Sequence, residues 1–195
     1  MNTFIRTAAL IPFLAIGATA AQAEPEAYVL DSSHSQVLFS YDHFGLSTTY
    51  GMFSGFDGEI AFDQEDPANS TVAVSFPVRS MLTGWEERFT HFMTDDFFGA
   101  SEDDMVTFTS TGIEVTGEST ALITGDLTMN DITREVVLDA TLNAVMDAHP
   151  VEGKPWAGFD ATTTVLRSDY DMGMFAPYVS DEVSIMISVE AMKAE

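Results

Sequence analysis

Residues Ser33 to Gly45 read SHSQVLFSYDHFG. Val37, Phe39 and Tyr41 fall on alternate positions, so an extended chain places them on one face. The same rhythm returns in STVAVSFPV, where Val72, Val74, Phe76 and Val78 alternate, and near the C-terminus at Val183, Ile185, Ile187 and Val189. Between these lie further β-rich runs: GMFSGFDGEIAF, DMVTFTSTGIEV, TALITGDLTMN, TREVVLDATLNAV and WAGFDATTTVL. Turn-forming stretches separate them, among them Glu65-Asp66-Pro67, Thr116-Gly117-Glu118, Asn130-Asp131 and His149-Pro150. The pattern predicts an all-β chain of about eight strands in one antiparallel meander. Two architectures fit, a sandwich or a closed barrel. Closure removes exposed edges, and eight strands leave an interior that side chains fill or that holds one small ligand.

One stretch breaks the rhythm. In GWEERFTHFMTDDFFGA, Gly84 to Ala100, Trp85, Phe89, Phe92 and Met93 recur at helical spacing. Glu86 and Glu87 fall in the first turn, where the helix dipole favours acids. This predicts one short inserted helix with a heavy aromatic load. A second short helical or turn segment is expected over RSDYDMGMFAPY, Arg167 to Tyr178.

The chain opens MNTFIRTAALIPFLAIGATAAQA. Arg6 precedes an apolar run from Ala8 to Thr19, and Ala21-Gln22-Ala23 supplies a small-x-small cleavage pattern. Residues 1–23 therefore read as a signal peptide, with residues 24–195 as one exported domain. No other segment reads as a membrane span, so no stable membrane insertion is expected. There is no cysteine, which excludes thiol and metal–thiolate chemistry and leaves the core to hold the fold. The formal net charge of −24 repels phosphate backbones, so no nucleic-acid partner is expected. Fifteen phenylalanines and eleven methionines serve as core; they also suit an adaptable apolar cavity.

Four histidines are present. His34 and His43 are an odd number of positions apart, so a regular strand sends them to opposite faces and they share no metal unless a bulge intervenes. His91 sits on the expected helix and could approach either. His149 precedes a proline and reads as solvated. Asp31, Ser33 and His34 are close in sequence, but adjacency is not triad geometry, and no G-x-S-x-G elbow is present. Neither catalytic residues nor metal ligands are expected. His34, His43 and His91 read instead as hydrogen-bonding groups, with Asp31, Ser35 and Asp42 as candidate partners.

Four motifs in order then resemble the YceI-like family. They are YVLDSSHSQVLFSYDHFGLSTTYGMFSGFDGEIAFD, SMLTGWEERFTHFMTDDFF, GDLTMNDITREVVLDA and LRSDYDMGMFAP, together spanning about Tyr28 to Ala191. The family-like positions include Asp31, His34, Ser35, Phe39, His43, Gly51 and Phe53, then Thr83, Arg88, His91 and Asp96-Phe97-Phe98, then Thr133 and Arg134. Departures occur at Phe89, Phe92, Ile132 and Asp171.

The resemblance implies an extended lipocalin-like barrel of eight antiparallel strands around an apolar tunnel, holding an isoprenoid lipid or fatty amide. Members are usually periplasmic and dimers occur in the family, so a periplasmic location and a homodimer are among its implications. The lining expected from the residues is Phe39, Phe44, Phe53, Phe56, Phe92, Phe97, Phe98, Met105, Met174 and Phe175, with Trp85 as a cap. His34, His43, His91, Arg88 and Arg134 are the candidates for contact with a polar head. Burying one methylene is worth about 0.8 kcal/mol, so ten give roughly 8 kcal/mol, about micromolar affinity before ordering costs. Basic residues after the leader are few and scattered. A neutral head, above all an isoprenoid quinone, is therefore expected over a diphosphate, and no cofactor besides the bound lipid. Two other readings compete: a histidine-dependent metal protein or enzyme, and a stress-related structural protein without ligand.

Overall fold

Alternation along the chain becomes a barrel in the computed structural model, which describes residues 24–195. The expected signal peptide lies outside the described residues. Ten strands form: β1 (Glu26–Leu30), β2 (Gln36–His43), β3 (Ser47–Phe53), β4 (Asp57–Phe62), β5 (Thr71–Pro77), β6 (Met105–Val115), β7 (Thr120–Met129), β8 (Ile132–Met146), β9 (Trp156–Leu166) and β10 (Glu182–Lys193). The inserted helix α1 (Glu86–Phe92) follows β5. The second expected segment is a 3-10 turn over Arg167–Tyr170 and an irregular loop to Ser180.

All pairings are antiparallel, and the ring β1-β4-β5-β6-β7-β8-β9-β10 closes where β10 pairs β1. The result is a closed eight-stranded barrel. The two further strands are continuations. β2 carries on from β1 along the same edge of β10, and β3 pairs β2 just as β4 pairs β1. The first two barrel strands are thus each broken once, at Asp31–Ser35 and at Ser54–Phe56. The sandwich alternative falls away, because β10 bonds to strands on both sides and the ring has no edge.

The inward rows are the ones read from the sequence. Val37 and Phe39 pair with Ile187 and Ile185, and Val74 and Phe76 pair with Phe108 and Val106. On β6 the inward row changes parity, from Val106 and Phe108 to Ile113 and Val115, because a bulge intervenes between Ser110 and Gly112. A second bulge lies on β8 between Leu142 and Ala144. The β7–β8 hairpin turns on Asn130 and Asp131, both left-handed (φ 56° and 59°). That is a two-residue turn of the kind that matches strand twist, and Asn and Asp tolerate it without glycine.

Two strand glycines make room for rings. Gly51 pairs Phe39, and a Cβ there would meet the Phe39 ring at 2.1 Å; at Gly125 a Cβ would meet the Phe108 ring at 2.4 Å. Each ring lies over backbone where another residue would carry a side chain. Gly51→Ala is therefore expected to cost about 1–3 kcal/mol and to lower the melting temperature measured by circular dichroism. The loss should shrink when the same change is made in a Phe39→Ala background. An equal loss in both backgrounds would refute the steric explanation.

Candidate functional site

The barrel interior is not filled. Two chambers lie along its axis. The lower encloses about 240 Å³ between β5, β7, β8 and β10, walled by Val74, Ile123, Leu127, Leu138, Ile187 and similar side chains. The upper encloses about 560 Å³, within the roughly 300–1,000 Å³ usual for ligand sites. It lies among β2, β3, α1 and the loop that follows the Arg167–Tyr170 turn. Phe53, Met129, Val165 and Ile185 belong to the walls of both chambers and form the waist between them. Phe53 is also the hub of an aromatic cluster, with ring centroids 5.4 Å from Phe39, 5.1 Å from Phe76 and 6.3 Å from Phe98.

The chambers differ in chemistry. The lower is almost wholly aliphatic and aromatic, with polar groups near the β6–β7 turn at Gly117–Thr120. Tyr41, His43, Ser47, Thr49, Glu87, Arg88, His91 and Arg167 all reach the wall of the upper one. One end is apolar, and the other offers donors and acceptors.

Local folding places these groups. Odd-numbered residues of β2 point inward, which delivers Phe39, Tyr41 and His43 in sequence to the upper wall. On α1, His91 packs edge-on against Phe97 (5.0 Å), and Phe92 packs against Phe97 (5.4 Å) and Tyr41 (6.3 Å). The Arg88 guanidinium lies 5.8 Å from the Trp85 ring and donates to the Thr83 carbonyl at 3.1 Å. Arg79 holds the far side of the helix segment, 5.5 Å from the Phe89 ring, donating to the Ala100 carbonyl and pairing with Glu102.

Arg167 was not singled out from the sequence, although it is the only basic residue of its motif. It is buried and lines the upper chamber. Nε donates to the Ser180 carbonyl, Nη1 to those of Met172 and Met174, and Nη2 to that of Val179. One guanidinium thus clasps the whole returning loop. Burial pushes its pKa down, and the Asp181 and Tyr41 charges oppose this. Tyr170 follows, fully buried, its phenol pushed up to about 12 by burial, with the Asp169 charge adding and Arg134 opposing.

Of the expected lining, Phe39, Phe44, Phe92, Phe97, Phe98, Phe175 and the cap Trp85 border the upper chamber. Phe56 borders the lower and Phe53 both. His43, His91 and Arg88 also reach the upper wall. Four expected residues border neither chamber, and each departure has a physical reason. Met105 is on the outer face, because Val106 and Phe108 take the inward positions of β6. Met174 turns its side chain to solvent while its carbonyl serves Arg167. Arg134 is exposed and donates to the Thr133 carbonyl, so it forms no cationic cluster with Arg88 in the chamber wall. His34 is not in a strand at all. It sits in the break between β1 and β2, so strand parity does not govern it.

That break is an electrostatic knot. His34 Nδ1 lies 2.6 Å from Asp31 Oδ2, and the Ser33 backbone N–H and hydroxyl donate to Asp31 Oδ1 at 2.9 and 2.7 Å. Glu190 on β10 accepts from the Trp156 indole N–H at 3.1 Å. The ligand-type atoms of Asp31, His34 and Glu190 fall within 4.8 Å of one another, away from both chambers. Partial burial raises the Asp31 pKa, but the hydrogen bonds from His34 and Ser33 outweigh it and leave the group low. The hydrogen bond to Asp31 raises the His34 pKa, with the charges of Asp31 and Glu190 adding.

Comparison with known proteins agrees with this architecture. Residues 28–191 match the family model described as YceI-like domain. A UPF0312 protein of Ectopseudomonas mendocina is 37% identical over 179 residues, covering 88% of this chain and 90% of that one. One of Pseudomonas aeruginosa is 34% identical over 189 residues, covering 92% and 95%. Among solved structures, Burkholderia cenocepacia BcnA superposes with a TM-score of 0.74 at 24% identity, covering 83% of this chain and 98% of that one. The Campylobacter jejuni YCEI protein gives 0.70 at 28%, covering 79% and 90%. A polyisoprenoid binding domain from Saccharophagus degradans gives 0.63 at 15%, covering 87% and 99%.

Two predictions follow from the side chains just placed. His34 has a raised pKa, so the stability it adds is present below the ordinary histidine value of about 6.5 and is lost as pH rises through the folded value. Asp31 has a lowered pKa, so its share is lost as pH falls through the folded value. The melting-temperature gap between wild type and His34→Ala should therefore be widest at mildly acidic pH and close on both sides; a gap independent of pH would rule out the ion pair. Arg167→Leu strands the carbonyls of the loop, and proteolysis should cut Met172–Ser180 much faster in that variant, with a stability loss of about 3 kcal/mol or more in urea unfolding.

Proposed function

This chain belongs to the YceI-like family, and on that premise we propose that it is an exported carrier for an amphiphilic isoprenoid lipid, an isoprenoid quinone before others. The observation that carries the reading is the paired chambers: an aliphatic lower one, a waist, and an upper one walled by His43, His91, Arg88, Ser47 and Thr49. A molecule with an apolar tail and a polar aromatic head has the same division. The polyisoprenoid ligand named for the Saccharophagus degradans relative is consistent with it.

The tail supplies affinity and the head supplies orientation. Each buried methylene adds about 0.8 kcal/mol, so tail length sets the binding strength until the lower chamber is full. Flat rings at the upper wall suit a flat head. The available cations argue for a neutral one. Arg167 spends four of its five donors on carbonyls, Arg134 is outside, and Arg88 stands beside Glu87. A diphosphate in this strongly acidic protein would have one guanidinium to meet it.

Organic extraction of the purified protein, followed by mass spectrometry, tests the proposal. A prenyl lipid with a neutral head at near one per chain is the expected result. A protein that comes out empty and also fails to take up added isoprenoid quinone would end this reading. The waist gives a second test. Ile185→Trp should close the passage, so that long-tailed quinones lose about a hundredfold in affinity while short-tailed ones bind as before. Equal loss for both tail lengths would show that the tail does not pass the waist.

A further inference from the structure

The mouth of the upper chamber carries more exposed apolar surface than its lining requires. Three of its wall residues, Phe44, Trp85 and Phe175, are also more than half exposed. Leu46 and Tyr178 stand beside them, 84% and 69% exposed, yet border neither chamber. These five come from three separate segments: the tip of the β2–β3 hairpin, the start of α1 and the loop clasped by Arg167. The structure joins the first and last directly. The Phe44 ring stacks on Tyr178 at 6.0 Å, and the Phe44 N–H donates to the Tyr178 carbonyl. Phe44 keeps a left-handed backbone (φ 61°), as does Phe175 (φ 66°). Both are bulky residues in a region that disfavours them, and both hold a ring at the mouth.

Charge marks the same face. The chain has 31 acidic residues, yet none of Asp, Glu, Lys or Arg occurs from His43 to Phe56 or from Met172 to Ser180. Two of the three rim segments are thus free of charged residues, while the third, at Trp85, is followed by Glu86, Glu87 and Arg88. Aromatic residues with an apolar body and a polar tip, such as Trp85 and Tyr178, are those that settle at membrane–water interfaces.

We infer that this rim is a docking face for a bilayer of net-neutral, zwitterionic lipid, which seats the mouth of the tunnel on the membrane so that a lipid tail passes between the two without crossing water. The inference rests on the carrier reading for its purpose. It fixes the occupant by charge: a surface so acidic is repelled by anionic lipid, and the rim has no basic cluster to reverse that. Docking is therefore apolar. It should be strongest on zwitterionic vesicles and weak on anionic ones at low salt, and salt should strengthen the latter by screening the repulsion. A basic peripheral protein behaves in the opposite way.

The test uses the full chain without its leader, phosphatidylcholine vesicles with and without an isoprenoid quinone, and the same quinone in detergent micelles. Leu46→Glu and Tyr178→Glu lie outside the chamber walls, and Val151→Glu, exposed in the β8–β9 loop at the opposite end of the barrel, is the control. Wild type and control should float with the vesicles and show a blue-shifted tryptophan emission. The two rim variants should float about tenfold less, keep the wild-type melting temperature, and still take quinone from micelles. Rim variants that float like wild type, or a wild type that loads from micelles but never floats, would overturn the docking face and leave the carrier intact. A wild type that floats but takes no quinone from either source would uphold the face and remove the carrier. If the rim variants change only a concentration-dependent dimer mass, the face joins two copies of this chain and the inference fails.

Discussion

Strand β10 carries the closure. Along one edge it pairs β9 from Glu182 to Met192; along the other it pairs β2 at its start and β1 at its end. A single twelve-residue strand thus completes the backbone hydrogen bonding of three others. Its inward row, Val183, Ile185, Ile187 and Val189, lines both chambers. An open sheet of this composition would expose that row and a long free edge, a template for aggregation. Closure turns the same row into a tunnel wall.

A barrel closed by regular strands has two similar ends. Here they differ because the chain inserts non-strand segments at one of them. α1 follows β5 and the Arg167 loop precedes β10, and both cover the upper end. β8 and β9 part company above Asp139 and Thr162, and the Arg167–Tyr170 turn packs against both strands there. The Asn130 side chain ties the β7–β8 hairpin to this cover through the carbonyls of Phe97 and Tyr170. The polar residues of the upper chamber come largely from these insertions and from the strands that meet them. The asymmetry of the tunnel is therefore a consequence of where the regular pattern was interrupted.

That explains what was legible beforehand. Alternation revealed the strands, since inward residues must be apolar and outward residues meet water, and helical spacing revealed α1. The breaks in the first two barrel strands were not legible, because Asp31–Ser35 and Ser54–Phe56 interrupt strands whose flanks keep their rhythm. Parity failed for His34 for the same reason: the residue precedes the strand that was to orient it. Alternation could not place Met105, because a methionine at the first position of a strand is apolar whichever face it takes. The role of Arg167 was hidden most deeply. Its partners are backbone carbonyls, which every residue carries, so no spacing of side chains announces them.

The distribution of charge binds these features into one argument. The interior holds little besides carbon, and the outer surface is strongly acidic. A tunnel gains specificity only where polar groups stand at its wall, and these groups must be paired or open to solvent to be tolerated. Arg167 meets that demand by giving four of its five N–H groups to backbone carbonyls, which makes it a structural clasp. His43 and His91 meet it by standing in the roomier chamber beside aromatic rings, 4.8 Å from Phe44 and 5.0 Å from Phe97. The other polar groups at the upper wall are His43 and His91, the hydroxyls of Tyr41, Ser47 and Thr49, and Glu87 and Arg88 of α1. The same pairing that makes the buried Arg167 cation tolerable thus ties the returning loop over the upper chamber.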